Sequence, residues 1–167
     1  MGIWTATPRT WVAGEVPTAA NFNTDVRDLG RAFADAWTSY TPTLTASTTN
    51  PTNWTQSGYY CRAGKLVIAR ILLEAGGTMT AGSGNYRVAL PVTAASGQDR
   101  VPMPANLYDN STGARCLPVA VMVATTYLEF RYPTTWPATG NQAVTNTAPW
   151  PWAASDQINV NLVYEAA

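Results

Sequence analysis

Leu66-Val67-Ile68-Ala69-Arg70-Ile71-Leu72-Leu73 decides how this chain is read. The run is short, almost wholly apolar and bounded by Gly64 on one side and Gly76-Gly77 on the other. With β-branched Val67 and Ile71 inside it, the pattern predicts a strand. Val67, Ala69, Ile71 and Leu73 would share one face, and Leu66, Ile68, Arg70 and Leu72 the other. Both faces are mostly apolar, so neither is an ordinary wet face. One is expected to line a core and the other to meet a second layer or a neighbouring subunit. Gly76-Gly77 and Gly82-Ser83-Gly84 predict the turn region that follows. Tyr86, Val88 and Leu90 then alternate on a return strand that Pro91 stops.

The same period-two pattern recurs on both sides of this stretch. Tyr40-Thr41-Pro42-Thr43-Leu44-Thr45 predicts a first strand, and residues 48–53 a loop. Residues 103–108 predict a short strand, and Asp109-Asn110-Ser111-Thr112-Gly113 a turn. Residues 117–124 and 127–132 predict a hairpin in which Leu128, Phe130 and Tyr132 alternate with Tyr127, Glu129 and Arg131. Ile158, Val160, Leu162 and Tyr164 alternate with Asn159, Asn161, Val163 and Glu165 on the last strand. Seven or eight strands at this spacing, with no helix among them, predict an all-β fold over residues 38–167: an antiparallel β-sandwich, jelly-roll-like.

Residues 1–37 read differently. Pro8 and Pro17 disfavour helix in residues 1–17, which predict an extended arm whose large apolar groups are Trp4, Trp11 and Val12. An arm bearing such groups is expected to dock, so these three are the candidate attachment residues. Residues 18–37 predict one amphipathic helix with Thr18 as N-cap. Its seam of Phe22, Val26, Leu29 and Phe33 follows heptad spacing. That seam suits a helix lying on a sheet or a neighbour, and equally a short bundle about an oligomer axis.

Composition narrows function. The chain has 167 residues, with 12% charged and a formal net charge of zero. A typical soluble domain carries about 25% charged residues. So little charge, with two apolar faces on the run 66–73, points to surface covered in an assembly. The ten basic residues are scattered, which argues against nucleic acid as a partner. No apolar run approaches the ~20 residues of a membrane span. The opening Met1-Gly2-Ile3-Trp4-Thr5 lacks a basic segment and an apolar run, so no signal peptide is expected. Histidine is absent, which removes Ser-His and Cys-His catalysis and the commonest transition-metal ligand. No phosphate-cradling or dinucleotide loop is present. No catalytic residue, metal or cofactor is therefore expected, and the chain is read as not an enzyme. Cys61 and Cys116 are read as two buried thiols, with a single disulfide as the alternative.

One candidate site remains, the aromatic loop at residues 133–154. Tyr132, Trp136, Trp150 and Trp152 are the residue types that stack on sugar rings. The same residues would equally plug the end of the sandwich or pack between subunits.

Two stretches carry a resemblance. Thr10-Trp11-Val12-Ala13-Gly14-Glu15-Val16, with Thr18-Ala19-Ala20, Phe22-Asn23-Thr24 and Val26-Arg27-Asp28, resembles the opening of many bacteriophage virion proteins. Gly58, Tyr60, Arg62, Gly64 and Val67, with Leu90-Pro91-Val92, resemble the β-sandwich modules of phage fibre, minor tail and head-decoration proteins. The resemblance implies a virion structural protein at the capsid or tail surface, assembled in the host cytoplasm, and, with the low charge and the two apolar faces, a homotrimer. Residues 1–37 would attach to other virion proteins (major capsid or tail proteins), and residues 38–167 would be displayed. Head decoration or head fibre is the first expectation. The alternative is a tail fibre, a minor tail protein or a receptor-binding module that recognises host-surface glycan.

Overall fold

A computed structural model describes residues 12–23, 37–98, 102–134 and 140–167. Within them lie a short helix, α1 (Ala19–Phe22), and eleven strands. The strands are β1 (Thr38–Tyr40), β2 (Leu44–Ala46), β3 (Thr52–Ala63), β4 (Leu66–Thr80), β5 (Tyr86–Ala89) and β6 (Met103–Tyr108), followed by β7 (Arg115–Cys116), β8 (Val119–Ala124), β9 (Tyr127–Pro133), β10 (Asn141–Ala143) and β11 (Gln157–Glu165). The fold is all-β, and every pairing between these strands is antiparallel.

The strands follow one path, β1-β3-β4-β11-β6-β8-β9-β5-β2, with β10 added to β9 and β7 to β6. The path doubles back at β6. Ala105 to Tyr108 pair with β11, whereas Met103 and Pro104 pair with β8. The two halves of the sheet therefore face each other, and Trp54 of β3 meets Tyr86 of β5 edge to face at 6.1 Å. The layers of the sandwich are two halves of one folded sheet.

The core lies between the halves, and strand alternation dictates its membership. From β4 come Val67, Ala69, Ile71 and Leu73, the face expected from the sequence; from β11 come Ile158, Val160, Leu162 and Tyr164. Tyr86 and Val88 of β5 and Leu128 and Phe130 of β9 close it from the other half.

Several expectations are corrected. Gly76-Gly77 is not a turn: β4 runs through it to Thr80. Opposite it, the pairing with β3 shifts register between Thr52 and Trp54, with Asn53 in the left-handed region at φ 57° and the extra residues on β4. The Asn53 carbonyl oxygen occupies the place a Cβ on Gly76 would take. Gly76 thus permits a close backbone approach without ending the strand. The turn falls at Gly82 and Gly84, whose φ angles are 63° and 93°. The strand after it does not return along β4; β5 crosses to the other half and pairs with β2 and β9.

The single strand expected at residues 40–45 is two. Pro42 offers no N–H to a ladder, and β1 and β2 lie at opposite ends of the strand path. The loop expected at 48–53 gives way to β3 from Thr52, and the loop at 133–154 contains β10. Toward the N-terminus, Thr18 caps α1 as expected, its Oγ1 accepting from the Asn21 N–H at 3.2 Å. Val12 and Phe22 are exposed. Trp4, Trp11, Val26, Leu29, Phe33 and Trp136 lie outside the described residues. Cys61 and Cys116, both half-buried, are not joined as a disulfide.

Candidate functional site

The aromatic loop is built into the core. Trp152 is 7% exposed, and its Nε1 donates to the Thr145 carbonyl at 2.8 Å. Its ring lies 5.4 Å from that of Trp54, 5.8 Å from Tyr86 and 5.9 Å from Trp150. Trp150 is partly buried against the same core. Tyr132 is half-buried on β9 and donates its hydroxyl to Gln142 Oε1 at 3.1 Å. Trp152 therefore plugs one end of the sandwich, and its ring is not open for stacking on a sugar.

The outward face of β3, β4 and β11 is the more open surface. Cross-strand register sets out four rows: Ser57–Leu72–Asn159, Tyr59–Arg70–Asn161, Cys61–Ile68–Val163 and Ala63–Leu66–Glu165. Leu66, Ile68, Leu72 and Val163 are each more than a third exposed. This is the second apolar face of the run 66–73, and among the described residues it stays exposed. The lone acid in these rows, Glu165, pairs with Lys65 at 3.4 Å on the rim. A second exposed apolar patch, Leu117, Val119 and Val123, lies on the outward side of the other half along β8.

Within the first two rows the face dips into a groove of about 340 Å³, lined by Ser57, Tyr59, Arg70, Leu72, Asn159 and Asn161. The Arg70 guanidinium carbon stands 5.2 Å from the centre of the Tyr59 ring and 5.6 Å from that of Trp37. Trp37 comes from the residue just before β1, so four separate segments meet at the groove. The sequence reading missed it, although Asn159 and Asn161, two amides on the outward side of the last strand, were its visible signal.

The remaining charged clusters hold loops and strands. Glu129 is 2% exposed and accepts from Arg87 Nε at 2.9 Å and Arg131 Nη2 at 2.7 Å. The Glu129 hydrogen bond raises the Arg87 pKa further. Asp109 accepts from the backbone and hydroxyl groups of Ser111 and Thr112, and these bonds hold its carboxyl down at about 2. Fully buried Asp156 accepts from the backbone N–H groups of Asn110 and Ala153 at 2.9 and 2.8 Å, tying the two loops together. Burial raises the Cys116 thiol pKa.

Among the described residues, fold and site define an all-β module with exposed apolar patches on the outer faces of both halves and a shallow groove around Arg70. No family model, curated protein or solved structure matches the chain.

Proposed function

We propose that this chain is a structural protein of a bacteriophage virion, decorating the head as a decoration or head-fibre protein. The observation that carries this reading is the pair of exposed apolar patches in a chain with so few charges. Leu66, Ile68 and Val163 lie on one outer face, and Leu117, Val119 and Val123 on the other. Apolar surface of this kind marks an interaction site on a soluble protein. Unlike patches on opposite faces match a heterologous contact, patch to patch, which closes into a ring if the rotation allows. We take the ring to be a homotrimer. The resemblance of the segment from Thr10 to Asp28 to the openings of phage virion proteins supplies the setting. Residues 1–37 attach to a capsid or tail partner and residues 38–167 are displayed. A tail-fibre or minor tail position would use the same surfaces.

Sedimentation of the full chain tests the assembly. At micromolar concentration a trimer is expected, and Val163→Asp or Val123→Asp should each release monomers that keep the wild-type far-ultraviolet spectrum. Wild-type protein that sediments as a monomer would overturn the trimer. Density for the protein on a phage head, with a variant beginning at Trp37 failing to incorporate, is the matching expectation for attachment. Normal occupancy by that variant would place the anchor in the β module instead.

A further inference from the structure

We propose that the groove between Ser57, Tyr59, Arg70, Asn159 and Asn161 is a binding site for a carboxylate-bearing sugar, of the uronic acid type. The inference goes beyond the virion reading and stands independently of it.

Arg70 carries the argument. It sits in the middle of the sheet face, and its cross-strand neighbours are Tyr59 and Asn161. Its neighbours along β4 on the same face are Ile68 and Leu72. None of these is acidic. The next acid on that side of β4, Glu74, accepts from Gln157 Nε2 at 3.1 Å. Among the described residues no carboxylate pairs with Arg70, whereas Arg87 and Arg131 both close on Glu129. The Tyr59 and Trp37 rings hold the guanidinium by cation–π attraction. Contact of that kind engages the flat faces of the group, and the five N–H donors, which lie in its plane, have no partner among the described residues. A rigid cation presenting in-plane donors is the geometry that grips a carboxylate in two parallel hydrogen bonds.

The rest of the groove reads the body of the ligand. Asn159 and Asn161 project from the same side of β11, two residues apart, and no described residue hydrogen-bonds to either side chain. Each amide can donate and accept, which suits hydroxyl groups that do both. The Ser57 hydroxyl faces them across β4, two strand spacings or roughly 10 Å away, a width that admits one sugar ring. Leu72 supplies an apolar floor for the C–H face of that ring. The volume of about 340 Å³ is at the lower end for a small-molecule site. The groove occupies the Leu72 and Arg70 rows, whereas the apolar patch assigned to assembly occupies the Ile68 and Leu66 rows. Both surfaces can therefore be used at once, and a trimer would present three grooves.

The test is calorimetric titration and saturation-transfer NMR of the full chain with D-glucuronate, D-glucose and acetate at fixed ionic strength. Expected is saturable glucuronate binding with a millimolar dissociation constant, with saturation transfer to the sugar ring protons. Glucose, lacking the carboxylate, and acetate, lacking the ring, should each bind at least ten-fold more weakly. R70Q should weaken glucuronate binding at least ten-fold, and the double variant N159A/N161A several-fold, each with an unchanged melting temperature. Should R70Q fail to fold, the double variant decides alone. No saturable glucuronate binding, or binding unchanged in the variants, would overturn the proposal. So would acetate binding as tightly as glucuronate, which would mark the groove as a seat for a protein carboxylate.

Discussion

Tyr86 is fully buried in the core and Tyr40 is half-buried at its edge, and burial raises the pKa of both phenols. Their hydroxyls differ. That of Tyr86 donates to the Ala81 carbonyl at 2.7 Å, while that of Tyr40 has no hydrogen-bond partner among the described residues. A satisfied hydrogen bond is worth about 1 kcal/mol, whereas an unsatisfied buried group costs a similar amount. Tyr86→Phe should therefore lose about 1 kcal/mol in urea denaturation, and Tyr40→Phe should be neutral or stabilising. Equal losses for the two would contradict the bonding described. The Tyr40 ring itself is needed: it lies where a Cβ on Gly58 would stand, so glycine at 58 is what admits it. Asp109 offers a test by pH. Its folded-state pKa of about 2 lies below the ordinary 3.8. The ionised form is thus favoured by folding, and its stabilisation is complete above about pH 4 and fades as pH falls through 2. Asp109→Ala should lower the melting temperature at pH 7, and the gap to wild type should shrink between pH 4 and pH 2. A gap that ignores pH in that window would assign the loss to packing.

β9 shows what the strand pattern reveals and what it hides. Leu128 and Phe130 are buried as their alternation requires, but so is Glu129 on the opposite side. Arg87 of β5 stands directly across from it and Arg131 follows two residues on, so the carboxylate is enclosed by guanidinium groups. Removing one partner of a buried pair leaves the others without compensation. Glu129→Ala should cost about 3 kcal/mol, toward the lower end of such losses because both arginines remain about a third exposed. Removing the exposed Lys65–Glu165 pair should cost less than 1 kcal/mol. Chemical denaturation of the two variants under one buffer compares them directly. The core strands were legible for a plain reason: in β4 and β11, side-chain alternation and burial coincide residue for residue. The length of β4 was not, because Gly76 looks like a turn residue until Asn53 and the register shift are seen opposite it. The crossing of β5 was equally hidden, since a run of alternating residues does not name its partner. The groove was hidden because Trp37, Tyr59, Arg70 and Asn161 come from four strands or their ends, and only register makes them neighbours.

At the scale of the whole molecule, the strand latest in the chain sits in the middle of the sheet. β11 lies between β4 and β6 and pairs Glu165 with Leu66 at one end and Gln157 with Tyr108 at the other. In the strand ladder, β1, β3 and β4 therefore join the rest of the sheet through residues 157–165. During synthesis, the open edge of β4 stays without its ladder partner until those residues leave the ribosome, about 90 residues after β4 begins. Ring closure over such separations makes folding slow, on the scale of milliseconds to seconds. Stopped-flow refolding should show one slow phase in which both halves gain structure together, and a fast phase for either half alone would contradict it. A nascent chain that stalls before β11 would carry that edge of β4 unpaired, so the dangerous interval for aggregation is the one before the last nine residues of the sheet arrive, and the rate of translation through the stretch from β6 to β11 becomes a determinant of yield.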